Sequence, residues 1–205
     1  MTSTAPVDCT PAQRVTRSLL GYGVLAGPVY VTVALAQALT RDGFDLTRHA
    51  WSLLALGPLG WIQTLNFVLA GMMSAAFAAG LRRALPGARW APRLVAVYGA
   101  SLFAAAAFEA DPAPAADGAV TVSWHGMLHL AAGAVGFTAL TIAAFAVGKR
   151  LLPRFSRITG VVLLAGFACV AAGGGAVWAN LVFTGAIVLT WAWMSVVAVK
   201  LYKTV

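Results

Sequence analysis

Six long apolar runs separated by short polar connections make up most of this chain. An α-helix rises 1.5 Å per residue, so a hydrocarbon layer about 30 Å thick needs roughly 20 mostly apolar residues to cross it. Residues 19–39, 60–81, 94–110, 124–148, 158–172 and 177–199 form runs of about that length. They predict an all-α fold, a polytopic transmembrane bundle of six spans over residues 19–200, with tails at 1–18 and 201–205. A semi-polar stretch, 45–57, leads into the second run. Asp111 stands before Pro112, and a residue in that position is disfavoured in the helical region, so the third span is expected to end there.

Composition removes the soluble alternative. Hydrophobic residues make up 60% of the chain and charged residues 10%, with a mean hydropathy of +0.84. An ordinary globular domain is about one quarter charged. A chain this poor in ionised groups must present apolar side chains to lipid.

The net charge of +8 would suggest nucleic acid in a soluble protein. Here the basic residues lie between the apolar runs, where they set topology, and nucleic acid is excluded as a partner. Every Lys and Arg except Arg41 and Arg48 falls before the first run, in the second or fourth connection, or after the last run. The positive-inside rule makes that face cytoplasmic, with both termini on it, in the plasma (inner) membrane. Asp42, Asp45, Glu109, Asp111 and Asp117 fall on the opposite side. Arg14, Arg17 and the Ala34-Leu35-Ala36 triplet also fit a secretory signal with its cleavage site, but the apolar run continues past that site and the lead is long, so a retained first helix is expected. Cys9, in the tail on the reducing side, is not expected to pair with Cys169 inside a span.

Close helix contact in lipid relies on small side chains. Gly23 and Gly27, then Gly71, Ala75 and Ala79, then Ala96, Ala100 and Ala104 repeat at four-residue spacing and predict interior seams. Trp51, Trp61, Trp124 and Trp178 near one set of span ends, and Trp90 near the other, are placed as interfacial anchors.

Polar side chains inside spans are costly and tend to face protein or water. In this chain they gather at the end opposite the arginines: Gln63 and Asn66, Glu109 and Asp111, His125 and His129, Asn180, and Asp45, His49 and Ser52 in the first outer connection. His125 and His129, four apart, share one helix face, and with His49 and a carboxylate they are the candidate set for a zinc ion. The alternative is that one histidine bonds a neighbouring helix and the other sits in an aqueous vestibule. Asp111 and Glu109 are candidate acid/base groups if the membrane boundary raises a carboxyl pKa; a turn-capping role is the alternative. Asp45, His49 and Ser52 would share a face if that connection were helical, which invites a nucleophile reading.

The run RDGFDLTRHAWSLLALGPLGWIQTLNFVLAGMMSAAFAAGLRR, with FEADP ending the third span and HGMLH opening the fourth, resembles a bacterial membrane family known as domain of unknown function 998. The resemblance spans the first loop to the fourth helix and implies a six-helix bundle without naming an activity. It places Asp45, His49, Ser52, Asp111, Pro112 and His129 on recurring positions. The outer-side His, Asp and Ser also look somewhat like membrane zinc hydrolases of the ceramidase kind, although helix count and motif order differ.

These observations point first to a membrane-embedded enzyme acting from an outer-leaflet pocket on a lipid-like or isoprenoid-like amphiphile. Asp111, Glu109 and His129 are its candidate catalytic groups. Gln63, Asn66, Trp61, Ser52, Asp45 and Asn180 would contact substrate, and His49, His125 and His129 would hold zinc if a metal is used. Without metal, a carboxyl would initiate isomerisation or cyclisation of a polyene. A non-catalytic lipid-binding or sensing protein, or a complex subunit, is the competing reading. A transporter ranks third, since no charged group is placed at mid-depth.

Overall fold

The computed structural model describes residues 10–113, 121–173 and 175–205, and Cys9 and Asp117 lie outside them. Six helices follow one another: α1 Pro11–Thr40, α2 Gly60–Ala84, α3 Trp90–Ala107, α4 Trp124–Gly148, α5 Pro153–Ala172 and α6 Val177–Tyr202. All six are long and apolar enough to cross a bilayer, and no strand occurs among the described residues. The protein is a multi-pass integral membrane protein. Leu25, Leu65, Met72, Val135, Val161 and Leu181 all point outward, as expected of a surface that meets hydrocarbon.

The helix ends depart from the hydropathy runs where local chemistry extends or stops a turn. α1 begins at Pro11 because Thr10 caps it: the Thr10 side chain accepts from the Gln13 N–H, and the Gln13 side chain accepts from the Thr10 N–H. α5 begins at Pro153, whose missing N–H costs nothing at the first helical position. α3 stops at Ala107, ahead of the Asp111-Pro112 pair, with Phe108 extended.

Each helix packs on its neighbours in sequence, and α1 closes the circle against α6. The result is a ring. One rim carries the basic connections 82–93 and 149–157 and the ends Arg14, Arg17, Lys200 and Lys203; we call it the basic face. The other, the acidic face, carries connection 41–59, residues 108–113 and 121–123 between α3 and α4, and residues 173, 175 and 176 between α5 and α6.

The closing seam shows how the sequence sets the packing. Pro28 inside α1 has no N–H to give to the Val24 carbonyl one turn earlier. Ser195 of α6 supplies the missing donor, its Oγ lying 3.0 Å from that carbonyl. Gly27 permits the approach, since a Cβ there would lie 2.9 Å from the Trp191 carbonyl oxygen. Gly23 meets Phe77 of α2 in the same way, and Gly71 meets Gly99 of α3. The alanine stripes behave differently from the expected seams: Ala75, Ala79, Ala96 and Ala100 are exposed. A single glycine pair sets the α2–α3 approach, and an alanine methyl is as comfortable in lipid as in protein.

Trp61, Trp90, Trp124 and Trp178 are more than half exposed at helix starts, as anchors are. Trp51 is not an anchor. It lies on a 3₁₀ turn, Trp51–Ala55, that folds back into the ring and buries the indole, 6.1 Å from the Tyr30 ring.

Candidate functional site

At the acidic face the lumen of the ring widens into a cavity of about 420 Å³. Its deep wall is aromatic. Tyr30, Phe67, Tyr98, Phe137 and Trp191 come from five different helices, with the Trp191 ring 5.0 Å from Tyr30 and 5.8 Å from Tyr98. Its rim is polar: Arg48 and Ser52 from connection 41–59, Asp111 after α3, His129 on α4 and Asn180 on α6. The lining is therefore apolar at depth and polar at the rim.

Asp111 is fixed by the start of α4. The Ser123 N–H lies 3.2 and 3.1 Å from its two carboxylate oxygens, while Ser123 Oγ accepts from the Gly126 N–H at 3.0 Å and caps the helix. A Cβ on Gly126 would fall 2.0 Å from an Asp111 oxygen, so the carboxylate occupies space that only glycine leaves. Hydrogen bonding from Ser123, side chain first and backbone second, holds the Asp111 pKa below the ordinary carboxylate range. The expectation of a raised pKa at this boundary is corrected: ionised-state hydrogen bonds at a helix N-terminus outweigh the weak desolvation. Asp111 is a carboxylate at neutral pH, an acceptor rather than an acid.

A lowered folded-state pKa means that this carboxylate stabilises the fold above its unfolded pKa of about 4 and that the contribution is lost as pH falls through the lower folded value. Asp111→Asn is expected to flatten the fall in thermal stability below about pH 4 relative to the parent. Parallel stability–pH curves, measured by thermal unfolding in detergent, would contradict this.

His129 is the second fixed group. Its Nδ1 lies 2.8 Å from the Phe108 carbonyl oxygen, freed because α3 has already ended. A carbonyl only accepts, so Nδ1 carries the proton and Nε2 of the neutral ring is an acceptor. The Phe67 ring packs 6.2 Å away.

The other expected site residues separate into distinct places. Ser52 and Asn180 line the cavity. Asn180 donates to the Leu46 and His49 carbonyls at 2.8 and 3.2 Å, tying connection 41–59 to α6. Arg41 ties the other side of that connection, bonding the Leu54 and Leu56 carbonyls. Gln63 and Asn66 do not line the cavity and form the α1–α2 polar seam. Gln37 donates to Gln63 at 3.1 Å, Gln63 to the Tyr30 hydroxyl at 3.4 Å, and Asn66 to the Tyr30 carbonyl at 3.1 Å. Glu109 and Trp61 are exposed and outside the cavity.

Asp45, His49 and Ser52 do not form a relay. The Asp45 carboxylate accepts from the Thr47 N–H and hydroxyl and stands 3.8 Å from Arg48, and the Thr47 bonds, side chain first, lower its pKa. The His49 Nδ1 accepts from the Asp45 backbone N–H, and its ring packs on Phe44. His125 stacks on Trp124 at 3.5 Å. Among the described residues no three His, Cys, Asp or Glu side chains converge as a metal set, so His49, His125 and His129 are not brought to one point.

Sequence reasoning passed over Tyr30, Phe67, Tyr98, Phe137 and Trp191 as lining residues, because an aromatic inside an apolar run reads as ordinary core, and it read Trp51 as an anchor. Arg48 carried the one usable signal, as a basic residue away from the basic face.

A family model described as "Protein of unknown function (DUF998)" matches residues 24–200. No curated protein and no solved structure matches the chain.

Proposed function

The chain belongs to the DUF998 family, and on that premise we propose that it is a membrane-embedded enzyme that binds a lipid-like amphiphile in the cavity of the ring and acts on it by acid/base chemistry. The supporting observation is the His129 ring. Its proton is fixed on Nδ1 by the Phe108 carbonyl, which leaves Nε2 to take a proton from a substrate held against the aromatic wall. Asp111 contributes a fixed negative charge to the same cavity lining. By the positive-inside rule the basic face is cytoplasmic, both termini with it, and the cavity opens toward the outer leaflet of the plasma membrane.

One observation favours a non-catalytic lipid-binding protein. The Asp111 oxygens are already engaged by Ser123, as in a carboxylate whose work is to hold the α3–α4 corner. Mass spectrometry of lipid extracts from cells producing the parent or His129→Ala separates the two. The enzyme reading expects the parent to shift a lipid pool and the variant to lose that shift by roughly 10²- to 10⁴-fold in rate. Unchanged pools with an amphiphile co-purifying on both proteins would replace it with the binding reading.

A further inference from the structure

The cavity also constrains what occupies it, an inference that rests on the amphiphile reading above. Size comes first. A cavity of about 420 Å³ falls within the range of small-molecule sites. That is room enough for one hydrocarbon chain with a small polar end.

The polar end is constrained by hydrogen-bond inventory. At the polar rim His129 and Asp111 are held in place as acceptors, while the Tyr30 and Tyr98 hydroxyls on the deep aromatic wall can donate. His129 gives its Nδ1 proton to the Phe108 carbonyl and offers only the Nε2 lone pair, and Asp111 is a carboxylate seated on the start of α4. Ser52 can adapt as donor or acceptor. Among the described residues the one cation on the lining, Arg48, stands at the exposed rim with Asp45 3.8 Å away, so its charge is shared with another carboxylate and with water. Arg41 spends its guanidinium on two backbone carbonyls. Beside His129 and Asp111 an acidic head group would therefore meet lone pairs and a negative charge, whereas a donor would satisfy them.

We propose that the cavity takes a single-chain amphiphile whose polar end donates a hydrogen bond, a long-chain alcohol or amine, in preference to a carboxylate or phosphate. The shared chemistry is an N–H or O–H donor on an unbranched or isoprenoid-like tail. The amine adds attraction to Asp111, and the alcohol matches the neutral acceptor on His129.

The test uses the full chain in phospholipid nanodiscs and four probes of equal chain length: dodecan-1-ol, dodecan-1-amine, dodecanoate and dodecyl phosphate. Saturation of the ligand-induced thermal shift gives relative affinities. The alcohol or the amine is expected to bind about tenfold more tightly than dodecanoate or dodecyl phosphate. That ratio should fall toward one in His129→Phe and return in His129→Gln, whose amide N–H can serve Phe108 while its oxygen still accepts. Loss of any advantage of amine over alcohol in Asp111→Asn would identify the carboxylate as the amine's partner. Equal binding of all four probes, or preference for an acid, overturns the head-group inference and leaves the amphiphile reading standing. No saturable binding of any probe overturns that reading itself. The parent ratio decides the matter even if a variant does not fold.

Discussion

Leucine in place of Gly27 is expected to open the ring at the seam that closes it. The added side chain would begin 2.9 Å from the Trp191 carbonyl oxygen and 3.0 Å from Ser195 Oγ, and neither is the free end of a flexible side chain. α6 would have to move away from α1, and the movement has a second cost. Ser195 would withdraw from the Val24 carbonyl, which Pro28 leaves without an intrahelical donor, and an unpartnered carbonyl in hydrocarbon is expensive. Overpacking of this kind costs about 1–3 kcal/mol before the lost hydrogen bond is counted, and the apparent Tm is expected to fall by roughly 5–10 °C. Trp191 also lines the cavity, so probe binding should weaken in the same variant. Gly21 on the same helix has nothing within 4 Å of its would-be Cβ, and Gly21→Leu should leave stability unchanged or slightly raised by helix propensity. Equal effects at the two positions, compared by thermal unfolding, would remove the seam argument.

The six crossings were legible because lipid acts on the sequence in bulk. Each span must be apolar along some twenty residues, and that requirement is visible without knowing any neighbour. α4 begins and ends where its apolar run does, Trp124–Gly148. The misjudged ends are those where capping decides: Thr10 and Gln13 form a capping box that extends α1 into a polar stretch hydropathy leaves out. The seams were half legible. Glycine at 23, 27 and 71 pointed correctly to close approach, whereas the alanine stripes carry no such signal, because a methyl group packs on lipid or protein at similar cost.

The site was less legible, for a different reason. Clustering of polar residues at one end follows from the order of the runs, and Asp111, His129, Ser52 and Asn180 do line one cavity. Their roles depend on contacts between elements. Gln63 and Asn66 belong to the same polar cluster along the sequence, yet they turn toward Tyr30 and Gln37. Two histidines at four-residue spacing share a helix face, but one bonds a carbonyl exposed by the early end of α3 and the other stacks on Trp124. Where α3 ends decides what His129 can do.

The strongest coupling expected in the molecule is between Gly126 and Asp111, and its sign depends on context. In the parent protein Gly126→Ala drives a methyl into the Asp111 carboxylate, 2.0 Å from one oxygen and 2.2 Å from its carbon. Asp111 precedes Pro112, which restricts its backbone, so the side chain must leave the Ser123 N–H. The corner that joins α3 to α4 should loosen, the apparent Tm should fall, and the acidic side of the cavity should lose its fixed charge. Removing the carboxylate first reverses the outcome. In an Asp111→Gly background the space beside Gly126 is empty, and alanine in the first turn of α4 should stabilise by up to about 1 kcal/mol, the ordinary preference of a helix for alanine over glycine. A double-mutant cycle read by thermal unfolding is therefore expected to be strongly non-additive, with Gly126→Ala harmful in one background and neutral or helpful in the other. Additive effects would mean that Asp111 does not rest on α4. His129 would then still hold its proton on Nδ1, but the polar wall would no longer contain two fixed acceptors.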